Sequence, residues 1–207
     1  MTTTLLADVP TGFATPGPAS QAVFRRALEA LSRPGRCLAL QPSETGILAP
    51  PAGVSLAMGA LMLTLLDRET SLWLAPSFDQ PLLHAWLAFH TGVQIVDTAA
   101  QGRFVAARAA ELDEALWDRL GRGSDESPQQ GATLLLEVDT LRAGAGLELS
   151  GPGIPHTRLL QVDGVSAAVW VRRRAEQVRY PLGVDLLLCC GSTLAGLPRS
   201  TRIEPQE

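Results

Sequence analysis

The sequence predicts an α/β protein built on a mixed sheet. Strand-length apolar runs alternate with amphipathic helical segments along most of the chain. The last two runs are joined by Gly191-Ser192, a hairpin signal that sets antiparallel strands beside a parallel set.

Residues 1–17 have prolines at 10 and 16, glycines at 12 and 17 and no periodicity, and are expected to form an extended arm tethered where Phe13 docks. Residues 18–207 then make a single α/β domain. Ser20 is the expected N-cap of a first helix in which Val23, Phe24, Ala27, Leu28 and Leu31 fall at helical spacing, and Pro34-Gly35 ends it. Arg36 to Leu40 reads as a short strand. Val54 to Leu66 is apolar on nearly every face, as in a buried helix. Leu72 to Ala75 is a strand, and Asp79 to His90 is a helix that turns Leu82, Leu83, Trp86, Leu87 and Phe89 mostly inward.

Val93 to Val96 and Phe104 to Ala107 supply two further strands, followed by a helix from Leu112 to Leu120 and a polar loop over 121–130. Ala132 to Val138 is a core strand. Leu147 to Ser150 and Thr157 to Leu160 flank a wide turn at Gly151-Pro152-Gly153-Ile154-Pro155. A helix from Ser166 to Val178 precedes the closing hairpin of Val184 to Cys190 and Thr193 to Leu197.

Composition narrows the function. At 207 residues, 46% hydrophobic and 18% charged, the chain is long and apolar enough to bury a full core. A net charge of -4 and a pI near 5.4 argue against nucleic acid as a partner. The longest apolar stretch falls well short of the roughly 20 residues a bilayer span needs, and the first residues lack the basic start and apolar block of a secretory signal. No membrane association is expected, and the expected compartment is the cytoplasm. Cys37, Cys189 and Cys190 make no disulfide framework and read as small core hydrophobes. All seventeen basic side chains are arginine. Without lysine there is no Schiff base, no phosphate-loop lysine and no Ser-Lys dyad.

The motifs that could carry chemistry are sparse. His84, His90 and His156 fit no metal-binding spacing, and His84 and His90 lie about 240° apart on one helix. No metal and no cofactor is expected. Ser55 and Ser166 sit in Gly-x-Ser-x-Ala stretches that invite comparison with a nucleophile elbow, yet each stands where a helix begins and reads as a cap. The glycines at 151 and 153 lead into a returning strand, so they read as turn geometry and not as a phosphate cradle. Arg172, Arg173 and Arg174, spread over about 200° of helix surface, together with Arg179 form the main basic concentration, read as a solvated or partner-facing surface ahead of an anion site. Asp185 lies in an apolar strand and needs a partner, for which Arg199 and Arg202 are the candidates.

Several blocks together resemble the PhnH family, the H subunit of the phosphonate carbon-phosphorus lyase system. They are residues 24–35 (FRRALEALSRPG), 89–92 (FHTG), 131–135 (GATLL), 149–154 (LSGPGI), 180–186 (YPLGVDL) and 194–202 (LAGLPRSTR), with Ser200 where threonine is more often expected. The resemblance implies an α/β three-layer sandwich with a mixed central sheet, similar to the large domain of pyridoxal-phosphate-dependent transferases but without the cofactor. It implies homodimers and a place beside G, I and J subunits in the lyase core complex. In that complex ATP and a phosphonate give a ribose 1-phosphonate 5-triphosphate, with G, H and I required. It implies a non-catalytic structural subunit and carries over no catalytic, cofactor or metal residue.

Two other functions remain open on sequence: a serine hydrolase using Ser55 or Ser166, and a stand-alone small-anion or nucleotide-phosphate binding protein using the Arg172 to Arg179 helix or the Gly151 turn. A subunit also needs surface anchors, for which the arm and Trp73, Trp117 and Trp170 are candidates.

Overall fold

The computed structural model describes residues 9–205. Its elements are α1 (Pro16–Ser32), β1 (Leu38–Ala39), α2 (Pro42–Thr45), α3 (Leu56–Leu65), β2 (Ser71–Leu74), α4 (Pro81–His90), β3 (Gln94–Ile95) and β4 (Phe104–Arg108). There follow α5 (Glu114–Arg119), β5 (Thr133–Glu137), β6 (Thr140–Ser150), β7 (Arg158–Asp163), α6 (Ala167–Glu176), β8 (Asp185–Cys190), β9 (Thr193–Leu197) and β10 (Arg202–Pro205).

The central sheet has seven strands in the order β1-β9-β8-β5-β4-β2-β3. β3, β2, β4, β5 and β8 run parallel, and β8, β9 and β1 pair antiparallel, so the sheet is mixed as the hairpin predicts. The inner strands are apolar throughout because both faces are covered. Their side chains alternate between two cores. Ala106, Leu135, Leu187 and Cys189 join α1, α3 and α4 on one face, while Val105, Ala107, Leu134, Leu136, Leu186 and Leu188 join α5, α6 and the second sheet on the other. That second sheet has three antiparallel strands in the order β10-β6-β7.

α3 is buried over Ala57 to Met62, as its all-round apolar sequence predicts, and Ser55 caps it by accepting from Met58 N–H at 3.2 Å. α1 departs from expectation. It begins at Pro16 and not behind Ser20, because proline in a first turn gives up no hydrogen bond and its fixed φ already suits a helix. Residues 16 and 17 of the expected arm are therefore helical, and Phe13 does dock, buried. Residues 1–8 of the expected arm lie outside the described residues.

Three helical side chains expected inward are exposed: Phe24 at 44%, Leu28 at 50% and Phe89 at 64%. The buried stripe on α1 is Val23, Ala27 and Ala30, a narrow row of small residues that lets the helix lie close on β9. Three elements give weak sequence signals. α2 is a single turn, β6 reaches back to Thr140 through Ala143-Gly144-Ala145-Gly146, and β10 carries one large buried side chain, Ile203.

The close approach of α1 and β9 depends on Gly196. A Cβ there would stand 2.7 Å from the Ala30 carbonyl carbon and oxygen and 2.8 Å from Leu31 N, backbone atoms that cannot rotate away. Gly196→Ala is expected to lower unfolding stability by about 1–3 kcal/mol. Urea denaturation followed by circular dichroism measures it, and an unchanged midpoint would contradict this packing of α1 on β9.

Candidate functional site

The chain passes from the central sheet to the small one between Leu197, the end of β9, and Arg202, the start of β10. Two arginines hold this crossing. Arg199, not Arg202, meets Asp185: its Nη2 lies 2.6 Å from Oδ2, its Nε 3.1 Å from Oδ2, and its backbone N–H donates to Oδ1 at 2.7 Å. Arg173, on α6, is buried and donates to the carbonyls of Val184 (2.9 Å), Leu197 (3.0 Å) and Pro198 (2.9 Å). Burial lowers its guanidinium pKa to about 10, against the opposing pull of Asp185 and Glu176, so it stays charged at neutral pH.

The Gly151–Pro155 turn leans on the other end of this crossing and on the C-terminal end of α1. Gly153 (φ 83°) comes so near that a Cβ would sit 2.1 Å from the Ser32 carbonyl oxygen. Gly35 donates its N–H to the Gly196 carbonyl at 3.1 Å. Arg158 Nη1 donates to the carbonyls of Arg33 (3.1 Å) and Pro34 (2.7 Å). Residues distant in sequence, at 33–35, 151–155 and 196–202, thus form one joint.

A pocket opens on each side of the turn. One, about 440 Å³, is lined by Gly151, Pro152, Gln177, Tyr180, Arg199 and Arg202 among others. The second, about 510 Å³, is lined by Arg33, Arg36, Cys37, Ala143, Gly153 and Arg158 among others.

The remaining candidates are dispersed. The three neighbouring arginines of α6 take different partners, Arg172 with Asp118 at 2.6 Å and Arg174 with Glu204 at 2.8 Å, while Arg173 is the buried staple. Arg179 lines a separate groove with Arg122 and Glu176. His84 pairs with Asp79 at 2.7 Å, His90 lies 3.2 Å from the Pro10 carbonyl oxygen, and His156 is exposed just after the wide turn. Ser166 is the exposed N-cap residue of α6. Among the described residues, no group of three or more His, Cys, Asp or Glu is placed to hold a metal, and no helix is long and apolar enough to cross a membrane. Trp117 and Trp170 are buried core residues, which removes them as surface anchors. Of the cysteines, Cys189 is buried in the core, whereas Cys37 and Cys190 are half-buried.

A polar row at the carboxyl ends of the parallel strands went unnoticed in the sequence. Glu111 accepts from the Ser77 N–H (2.9 Å), the Ser77 hydroxyl (2.6 Å) and the Arg108 N–H (3.1 Å), and Arg108 reaches the Gly53 carbonyl. Glu137 stands beside Arg108 in register, accepting from Ser55 N–H at 3.3 Å. Burial raises the Glu137 carboxyl above its ordinary value, against the opposing effects of Ser55 and Arg108. Ser55 thus has a carboxylate neighbour but no histidine among its hydrogen-bond partners. A signal did exist: Glu137 is the acid that ends the Thr133–Glu137 run, at the strand end where α/β proteins place their polar groups.

The family model described as bacterial phosphonate metabolism protein (PhnH) matches residues 11–204. The chain belongs to the PhnH family. It is 34% identical over 195 residues to the alpha-D-ribose 1-methylphosphonate 5-triphosphate synthase subunit PhnH of Rhizobium meliloti (strain 1021), covering 93% of this chain and 94% of that protein. It is 35% identical over 189 residues to HtxG of Stutzerimonas stutzeri, named as a candidate C-P lyase subunit, covering 90% of this chain and 86% of that one. Of the PhnH-like blocks in the sequence, those at 24–35, 149–154 and 194–202 are the ones that build the joint beneath the Gly151–Pro155 turn.

Two outcomes follow for this PhnH-family chain. Arg199→Ala leaves a half-buried Asp185 without its counter-ion and is expected to cost about 3–5 kcal/mol, whereas Arg172→Ala, at a fully solvated pair, should leave the urea midpoint nearly unchanged; equal losses in urea titrations would refute the clamp. Glu137 has a raised folded-state pKa, so the folded chain binds the extra proton and stability falls as pH rises from about 4.5, the ordinary value, through the raised one. Glu137→Gln should flatten that decline between pH 4 and pH 7, and parallel wild-type and variant profiles would refute the assignment.

Proposed function

We propose that this chain is a structural, non-catalytic subunit of the carbon-phosphorus lyase core complex in organic phosphonate catabolism. In this reading it assembles with G, I and J subunits and is required, with G and I, for ATP-dependent formation of ribose 1-phosphonate 5-triphosphate. The observation that carries it is correspondence along nearly the whole chain with relatives that are themselves named as subunits. The structural use of the family blocks points the same way: they form a helix end, a turn and a charge clamp, and the two serines considered as nucleophiles stand at helix N-caps.

The same reading makes the protein a cytoplasmic homodimer, with one α/β domain behind its N-terminal arm. Its mixed sheet, covered on both faces, supports kinship with the large domain of pyridoxal-phosphate-dependent transferases. The lack of lysine supports the cofactor's absence, since no side chain here can form the Schiff base.

Co-expression of the tagged chain with the G, I and J subunits of its own organism, followed by size-exclusion chromatography, tests the proposal. A stoichiometric complex is expected, with ATP-dependent phosphonate coupling lost when this chain is omitted. Elution of the chain alone, or coupling that persists without it, would overturn the reading.

A further inference from the structure

Several arginines each meet an acid: Arg172 with Asp118, Arg174 with Glu204, Arg122 with Glu176 and Arg26 with Glu44. The pocket beside α1 gathers three arginines around a single shared carboxylate. Arg33, Arg36 and Arg158 all line it. Glu29 serves two of them, 2.9 Å from Arg36 and 3.9 Å from Arg33, and it is shared with Arg26 at 3.4 Å. Glu148 on β6 is in register with Leu159, so strand alternation turns it to the face opposite Arg158.

Part of this surplus answers the end of α1, whose free carbonyls carry roughly half a negative charge. Arg158 meets two of the carbonyls at that end through Nη1. Three guanidinium groups against one shared carboxylate and that half-charge still leave about 1.5 positive charges, in a chain whose net charge is -4. The backbone beneath is fixed. Arg158 is tied to the helix end, and the Gly35 amide, next to Arg36, is bonded to Gly196. The Arg158 guanidinium, held this way, loses little freedom on meeting a ligand, while the more exposed Arg33 and Arg36 reach it on flexible stems.

We propose that this pocket binds a compact, multiply charged oxyanion of the phosphate type, free or at the end of an organic ester, with Arg33, Arg36 and Arg158 as its ligands. Planar guanidinium forks match the paired oxygens of a phosphate group. A volume of about 510 Å³ admits more than one such group. This site is distinct from the α6 arginines, where Arg172 and Arg174 already pair with carboxylates. It stands independently of the subunit reading.

Isothermal titration calorimetry of the full chain with inorganic pyrophosphate, and separately with inorganic phosphate, tests the site at ionic strength held constant with sodium chloride. Saturable binding of one anion per chain is expected, weakened about tenfold by Arg36→Ala, the effect of one charge-assisted hydrogen bond. Arg174→Ala should bind as the wild type does. Tighter binding of pyrophosphate than of phosphate would assign a diphosphate-type end to the ligand, and equal affinity a single phosphate group; both support the site.

Cys37 gives a second readout that needs no variant, since it is half-buried in the same pocket. Pyrophosphate should slow maleimide labelling of Cys37, followed by peptide mass analysis. No saturable heat at millimolar pyrophosphate, or equal affinity in wild type and Arg36→Ala, overturns the proposal. Because the chain is titrated alone, failure here leaves the co-expression result unaffected, and the reverse also holds.

Discussion

The Asp185–Arg199 pair fixes where the chain leaves the seven-stranded sheet, because it joins the first residue of β8 to the loop that follows β9. That loop becomes β10, the strand that carries β6 and β7 onto the face of the main sheet. Removing two charges from water costs nearly as much as their attraction returns. The pair therefore contributes position more than net stability. Arg199 also lines the pocket on one side of the Gly151–Pro155 turn.

Arginine serves here as a backbone staple. Arg173 joins the carbonyl just before β8 to two carbonyls at the end of β9, Arg158 closes the end of α1, and Arg199 adds the Pro181 carbonyl to its carboxylate. One planar group with five donors spans acceptors that an ammonium on a flexible stem would meet one at a time. This architecture gives the lysine-free composition a structural meaning.

How much of this was legible in the sequence varied with the physics of each part. The inner strands were legible because strands covered on both faces have unbroken apolar runs, and the clamp because a carboxylate in such a run demands a partner. Which arginine met it was not, since Arg199 and Arg202 are separated only by the geometry of the crossing. The tilt of α1 was also hidden: helical spacing marks a face, but the closeness of β9 at Gly196 narrows it to Val23, Ala27 and Ala30 and leaves Phe24 and Leu28 outside. β6 before Leu147 is rich in glycine and alanine, which carry little strand preference. The arginine pocket and the Arg108–Glu137 neighbourhood arise only when distant segments come into register.

The borders of the main sheet carry one more consequence. β1 and β3, its outermost strands, are each two residues long, so each edge offers few open backbone donors and acceptors. Edges this short cannot template another chain by strand addition. They protect the sheet from edge-to-edge aggregation, and any subunit that meets this sheet must dock on its side chains and loops, leaving the ladder closed.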